Sequence, residues 1–246
     1  MSEVAGRMAT QVGAQMLTKI EGGMGLLMGG TAGVQAAHVV ILGAGTVGLS
    51  AAKVAMGMGA RVTILDSNLF GLRQIDDRFG GRIQTLASNA FNIAAATKDA
   101  DLLVGSVLIP GALTPKLVTE AMVKTMKPGS AIVDVAIDQG GCIEPTAKHG
   151  ATYHDKPTFK YPVNGGEVVC YSVGNMPGAV ARTSTFTLTN ATMPYMVDLA
   201  NKGWKKACQD DKALARGINT YDGKVYFKGV SDALGYELHC TCDILK

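Results

Sequence analysis

Hydrophobic positions fall in short blocks along this chain, and the spacing within each block predicts its structure. Residues 39–42 are an unbroken apolar run of strand length, followed at once by Gly43-Ala44-Gly45-Thr46-Val47-Gly48. Residues 50–58 are Ala-rich and read as a helix, and 61–65 as a second strand closed by Asp66. The alternation continues with a helix over 69–79, a strand over 82–86, a helix over 91–98 and a strand over 101–107. A helix over 115–126 carries Pro115 in its first turn, and 131–136 is an almost wholly apolar strand, as expected for one buried on both faces. Residues 167–173 form a sixth strand. Ahead of this series, Val4, Met8, Val12 and Met16 recur every four residues, the apolar stripe of a helix over 2–17 with Ser2 as its N-cap. Residues 22–33 read as a Gly-rich loop around a short buried segment. Behind the series lie a helix over 183–203 disturbed at Pro194, a helix over 204–216, an Asp222-Gly223 hairpin turn and a short helix over 231–234.

Strands alternating with helices at this spacing predict an α/β fold, a doubly wound parallel sheet of Rossmann type. The tail follows no such alternation and reads as the C-terminal helical portion of a second, incomplete domain. The boundary falls between residues 1–174 and 175–246.

Composition narrows the function classes. The chain has 246 residues, 47% hydrophobic and 17% charged, enough for a sizeable core. A net charge of +3 with scattered Lys and Arg does not point to nucleic acid. The apolar stretch 39–60 is interrupted by Lys53 and punctuated by glycines, so it reads as part of the nucleotide fold and not as a membrane span. Five cysteines at irregular spacing, with no signal-peptide pattern, predict free thiols in a reducing cytoplasm. Cys240-Thr241-Cys242 has no second ligand pair, so no metal site is expected.

The glycine turn carries the chemistry. Gly43 makes the tight turn, Gly45 lets a pyrophosphate approach the backbone, and Gly48 lets the helix pack close to the strand. The phosphates would rest on the helix N-terminus, where unpaired N–H groups favour an anion. Asp66 lies about 20 residues beyond the last glycine, near where an acid accepts the ribose hydroxyls. The competing reading is a Gly-rich turn in another α/β protein. Ligands of such sheets lie beyond the carboxyl ends of the strands, which gathers the glycine turn, Asp66, Ser88, Val107, Leu108, residues 136–141 and residues 174–178 around one crevice. Asp138 follows the fifth strand in the flexible stretch Ile137-Asp138-Gln139-Gly140-Gly141. There it is either a proton-transfer group or a loop cap. Asp134, within the strand, reads as structural, as do the four scattered histidines, unless they are simply solvent-exposed.

Several motifs together resemble the family shared by alanine dehydrogenase and the NAD(P)-binding first component of transhydrogenase. They are Met1-Ser2-Glu3-Val4-Ala5-Gly6-Arg7, the glycine turn, Leu108-Ile109-Pro110-Gly111-Ala112, the segment from Val133 to Cys142, and Asn175-Met176-Pro177-Gly178-Ala179-Val180 leading into Arg182-Thr183-Ser184-Thr185. The resemblance implies NAD as cofactor, with oxidative deamination of L-alanine to pyruvate and ammonia and the reverse amination. It implies a cytoplasmic hexamer with no nucleic-acid or membrane partner. The family's cofactor contacts fall on Ser2, Gly43, Gly45, Thr46, Val47, Gly48, Asp66, Ser88, Val107, Leu108, Ala136, Ile137, Asp138, Asn175, Met176, Pro177 and Gly178, and its catalytic aspartate on Asp138. The family often places Lys or Arg five residues after the ribose acid. Gly71 stands there, with Arg73 as the substitute cation. The family also has a long segment ahead of the first helix, holding the groups that orient the substrate and a catalytic histidine. The sequence as given starts on that helix, so the resemblance implies a chain that binds NAD but does not by itself oxidise alanine. The other readings are a transhydrogenase component and a non-catalytic NAD-binding module. Asp138-Gln139, where transhydrogenase is expected to carry Gln-Asn, and the segment 183–195 favour alanine dehydrogenase.

Overall fold

The structure, a computed structural model, describes residues 1–107 and 114–246. Its elements in chain order are α1 (Ser2–Met16), β1 (His38–Leu42), α2 (Thr46–Gly57), β2 (Arg61–Asp66), α3 (Leu69–Phe79), β3 (Ile83–Ala87), α4 (Ala90–Asp99), β4 (Leu102–Gly105), α5 (Glu120–Val123) and β5 (Ala131–Asp134). After a single 3₁₀ turn over Val135–Gln139 come α6 (Glu144–His149), β6 (Thr158–Val163), β7 (Gly166–Tyr171), a second 3₁₀ turn over Met176–Val180 and α7 (Ala181–Asp210). The chain closes with α8 (Lys212–Ala215), β8 (Thr220–Tyr221), β9 (Lys224–Val225) and α9 (Lys228–Leu234). It divides into two compact units, Met1–Ser184 and Thr185–Lys246.

The first unit is built on a seven-stranded sheet of order β3-β2-β1-β4-β5-β7-β6, parallel throughout except for β6. This is the doubly wound α/β architecture the alternation predicts. β1 shows how the sheet holds its two layers. All five of its residues are buried; Val39 and Ile41 join the apolar cluster under α1, α2 and α3, while Val40 and Leu42 join the cluster under α4. Each apolar side chain removed from water in this way contributes about 1.5–3 kcal/mol, which drives both layers onto the sheet.

Several expectations need correction. Ser2 is the first helical residue of α1 and not its cap; Met1 holds the cap position, without a side-chain hydrogen bond. α2 begins at Thr46, inside the glycine motif, rather than at residue 50. The helix expected over 115–126 shrinks to α5. Residues 114–118 instead stay outside the helix, because their N–H groups find partners across the chain: Thr114 N–H bonds the Gln139 carbonyl at 3.0 Å and Leu117 N–H the Cys142 carbonyl at 2.8 Å. The stretch expected to be irregular before the sixth strand contains β6, which makes a hairpin with β7 through Asn164-Gly165. Pro194 is accommodated inside α7, whose regular geometry is interrupted at Gly203 (φ 72°). Cys240 and Cys242 are joined as a disulfide, leaving Cys142, Cys170 and Cys208 as buried thiols.

In the second unit, Asp222 (φ 48°) and Gly223 (φ 71°) form the two-residue turn between β8 and β9, as the Asp-Gly pair predicts. Trp204 packs on Tyr221 with ring centroids 4.7 Å apart.

Candidate functional site

A cleft of about 550 Å³ opens beyond the carboxyl ends of β1, β2, β3 and β4 in the first unit. Eight of the residues singled out from the sequence line it: Ser2, Gly43, Gly45, Thr46, Val47, Asp66, Ser88 and Val107. The turn from β1 into α2 forms because two of its glycines, Gly43 and Gly48, meet a steric demand. Gly43 holds φ 98°, with Ser106 backbone 3.1 Å from where a Cβ would stand. A Cβ on Gly48 would run into the Gly43 carbonyl oxygen, so only glycine lets α2 start this close to β1. Gly45, the N-cap of α2, faces open space and supplies no side-chain cap to the first helical turn. That combination, open room over uncapped N–H groups, fits a pyrophosphate.

Asp66 ends β2 with its carboxylate aimed back at the turn. One oxygen accepts the Ala44 N–H at 2.6 Å and the other the Asn68 N–H at 2.8 Å. Arg73, on α3, does not line the cleft. Leu108 and the rest of the Leu108-Ile109-Pro110-Gly111-Ala112 motif lie outside the described residues. Ser106 lines the cleft without having been singled out. Its hydroxyl donates to the Leu42 carbonyl at 2.7 Å and contacts that of Gly43 at 3.1 Å, which ties the end of β4 to the glycine turn. Its position one residue past a buried strand, opposite the turn, was the available signal.

Ala136, Ile137 and Asp138 sit in the 3₁₀ turn after β5, a defined turn where a flexible loop was expected. Both oxygens of the exposed Asp138 carboxylate lie 3.3 Å from the N–H of Asn175. Asn175 itself adopts a left-handed backbone (φ 49°) before the turn that contains Met176, Pro177 and Gly178. Gly174 leaves the space that the Asp138 carboxylate occupies, since a Cβ there would stand 2.9 Å from its Oδ1. The fifth-strand turn and the Asn175 turn therefore meet at Asp138.

Asp134 has the structural role expected of it. Its buried carboxylate accepts from the N–H groups of Ala136, Cys142 and Ile143 at 3.1–3.2 Å and from the Thr146 hydroxyl at 2.5 Å. It thereby closes the chain around the Asp138 turn. Burial pushes its carboxyl above the usual carboxylate range, while those hydrogen bonds pull the other way. Burial and the Asp134 charge hold the Cys142 thiol well above its ordinary value, and burial, with a smaller push from Asp134, lifts Cys170 to about 12. Neither thiol is a nucleophile at neutral pH. His38 bonds Thr63 at 2.8 Å and pairs with Asp99 at 2.8 Å at the opposite end of the sheet from the cleft.

Comparison with known proteins bears on this arrangement. Residues 9–228 match the profile of the family described as alanine dehydrogenase/PNT, C-terminal domain. The chain is 99% identical over its whole length to a protein named alanine dehydrogenase from Bilophila wadsworthia, of whose length it spans 65%. A solved L-alanine dehydrogenase superposes with a TM-score of 0.88 at 47% identity, over 96% of this chain and 63% of that one. A transhydrogenase structure from Sinorhizobium meliloti superposes with a TM-score of 0.53 at 30% identity, over 70% of this chain and 46% of that one.

Proposed function

The chain belongs to the alanine dehydrogenase/PNT family, and from that membership we propose that it carries the cofactor-binding part of an NAD-dependent L-alanine dehydrogenase, interconverting L-alanine with pyruvate and ammonia. Residues 1–174 form the NAD-binding domain in this reading, and 175–246 contribute to a second. The observation that carries it is the glycine-turn cleft with Asp66 in its wall, which opens at the carboxyl ends of the parallel strands; the Asp138–Asn175 contact follows β5 and β7 at that same end without lining the cleft. Gly43, Gly45, Thr46 and Val47 hold the pyrophosphate, Gly48 lets α2 pack against β1, and Asp66 accepts the ribose hydroxyls; Arg73, on α3, stands outside the cleft lining. Ser2, Ser88 and Val107 complete the cleft wall. Ala136, Ile137, Asp138, Asn175, Met176, Pro177 and Gly178 bound the nicotinamide side. Bound NAD would supply the hydride acceptor for the substrate carbon. Asp138 takes and returns the proton carried by the substrate nitrogen, and later by the oxygen that replaces it, a task worth about 10²–10⁴-fold in rate. The nearer likeness to L-alanine dehydrogenase than to transhydrogenase in TM-score and identity supports this reading over a transhydrogenase component. A cytoplasmic homo-hexamer, taken from the family resemblance, completes the proposal; among the described residues no helix is long and apolar enough to cross a membrane.

The test has two arms. Calorimetric titration of this chain should show NADH binding at a single site. In the longer Bilophila relative, Asp138→Asn should leave NADH binding intact and lower alanine turnover by about 10²–10⁴-fold. Near-normal turnover would return Asp138 to the role of a loop cap, and no NADH binding would reject the cleft as the cofactor site.

A further inference from the structure

The Asp138 turn ends in two consecutive glycines with left-handed backbone, Gly140 at φ 88° and Gly141 at φ 74°. Their N–H groups bond back to the carbonyls of Ile137 at 2.9 Å and Ala136 at 3.0 Å. Their own carbonyls converge on one point outside the turn, and the ammonium of Lys116 fills it, donating to Gly140 O and, at 2.6 Å, to Gly141 O. Lys116 is held in place by its neighbours, because the segment 114–118 is bonded to the same turn through Thr114 and Leu117. A glycine pair is the softest stretch a turn can have, since glycine loses the most conformational freedom on ordering. Charge-assisted hydrogen bonds are about twice as strong as neutral ones, so one ammonium shared by two carbonyls stiffens the point where stiffness is lacking. Asp134 fixes the turn from beneath through Ala136, Cys142 and Ile143, but it does not reach these two carbonyls.

We propose that Lys116 is a positioning residue for Asp138: by gripping the Gly140 and Gly141 carbonyls it holds the turn in the one geometry that keeps the Asp138 carboxylate against the Asn175 N–H. The inference rests on the reading of Asp138 as the proton-transfer group. Lys116 is exposed on the surface and packs no core, so its replacement leaves the sheet untouched.

The experiment compares Lys116→Met and Lys116→Arg with the unaltered protein, using hydrogen exchange of the 246-residue chain and steady-state kinetics of the longer Bilophila relative. Lys116→Met should speed exchange of the Gly140, Gly141 and Asn175 amides by about tenfold with an unchanged melting temperature. In the longer protein it should lower kcat by about 10–100-fold, with KM for alanine and NADH affinity near normal, because a misplaced proton-transfer group costs rate rather than binding. Lys116→Arg, which also presents several donors to paired carbonyls, should recover most of both. Unchanged exchange and kcat in Lys116→Met, or an Arg variant no better than Met, would overturn the proposal. Asp138→Asn is assayed beside them. Should it be inactive while Lys116→Met is normal, only the Lys116 inference fails; should it be active, the Asp138 reading fails and takes this inference with it.

Discussion

In the proposed reading Asp66 has two tasks at the end of β2. Its position at the cleft suits the ribose hydroxyls, and its bond to the Ala44 N–H at 2.6 Å braces the glycine turn from the neighbouring strand. A 2′-phosphate would meet this carboxylate as a like charge, so the chain should prefer NAD over NADP. A penalty of about 1.4 kcal/mol is tenfold in affinity. Asp66→Ser should therefore narrow the preference by about tenfold, and it should also weaken NAD itself because the turn loses its brace. Calorimetry with both cofactors reads the two effects separately, and equal binding of NAD and NADP by the unaltered chain would reject this role. The place of Asp66 at the cleft, on which the first task rests, was legible from its spacing behind the glycines. The second was not, because it depends on which backbone N–H the folded strand end brings near. Asp134 and Asp138 show the same divide. Their strand and post-strand positions separated a buried carboxylate from an exposed one, but the donors that converge on Asp134 come from residues as far on as Thr146.

Elements whose periodicity is local were readable, and those decided by a partner far along the chain were not. β1, α2 and β2 announce themselves through the apolar run, the glycine turn and the closing Asp66. Pro115 signals a first helical turn, yet pairing of residues 114–118 with 139–142 leaves no helix there. The β6–β7 hairpin was missed although Asn164-Gly165 is a turn signal, because Pro162 and the mixed polarity of β6 mask its alternation. The packing of α1 on α2 carries the clearest consequence at this scale. A Cβ on Gly6 would collide with the Val47 carbonyl and approach Ser50 Cβ to 2.8 Å, and the Thr10 hydroxyl bonds the Ala51 carbonyl at 2.9 Å. Gly6→Ala should push the two helices apart, costing about 1–3 kcal/mol and lowering the melting temperature by several degrees. Because Ser2 at the start of α1 lines the cleft, NADH affinity should fall with it. A stable variant with unchanged affinity would show that α1 adapts without moving Ser2.

At the scale of the whole molecule, every residue lining the cleft, together with Asp138 and Asn175, belongs to the unit Met1–Ser184. A chain ending at Ser184 should accordingly bind NADH as tightly as all 246 residues; a loss beyond about tenfold would assign part of the cofactor site to residues 185–246. The sheet order adds a consequence for association. One margin of the sheet is β6, a six-residue strand carrying the exposed Lys160 and, opposite Glu167, Pro162, which has no N–H to give. An open margin is a template on which another chain can add a strand, and a proline and a lysine are among the devices that spoil it. Growth of the sheet from copy to copy is thus blocked on this side, so copies that meet here must do so through side chains rather than a continuous ladder.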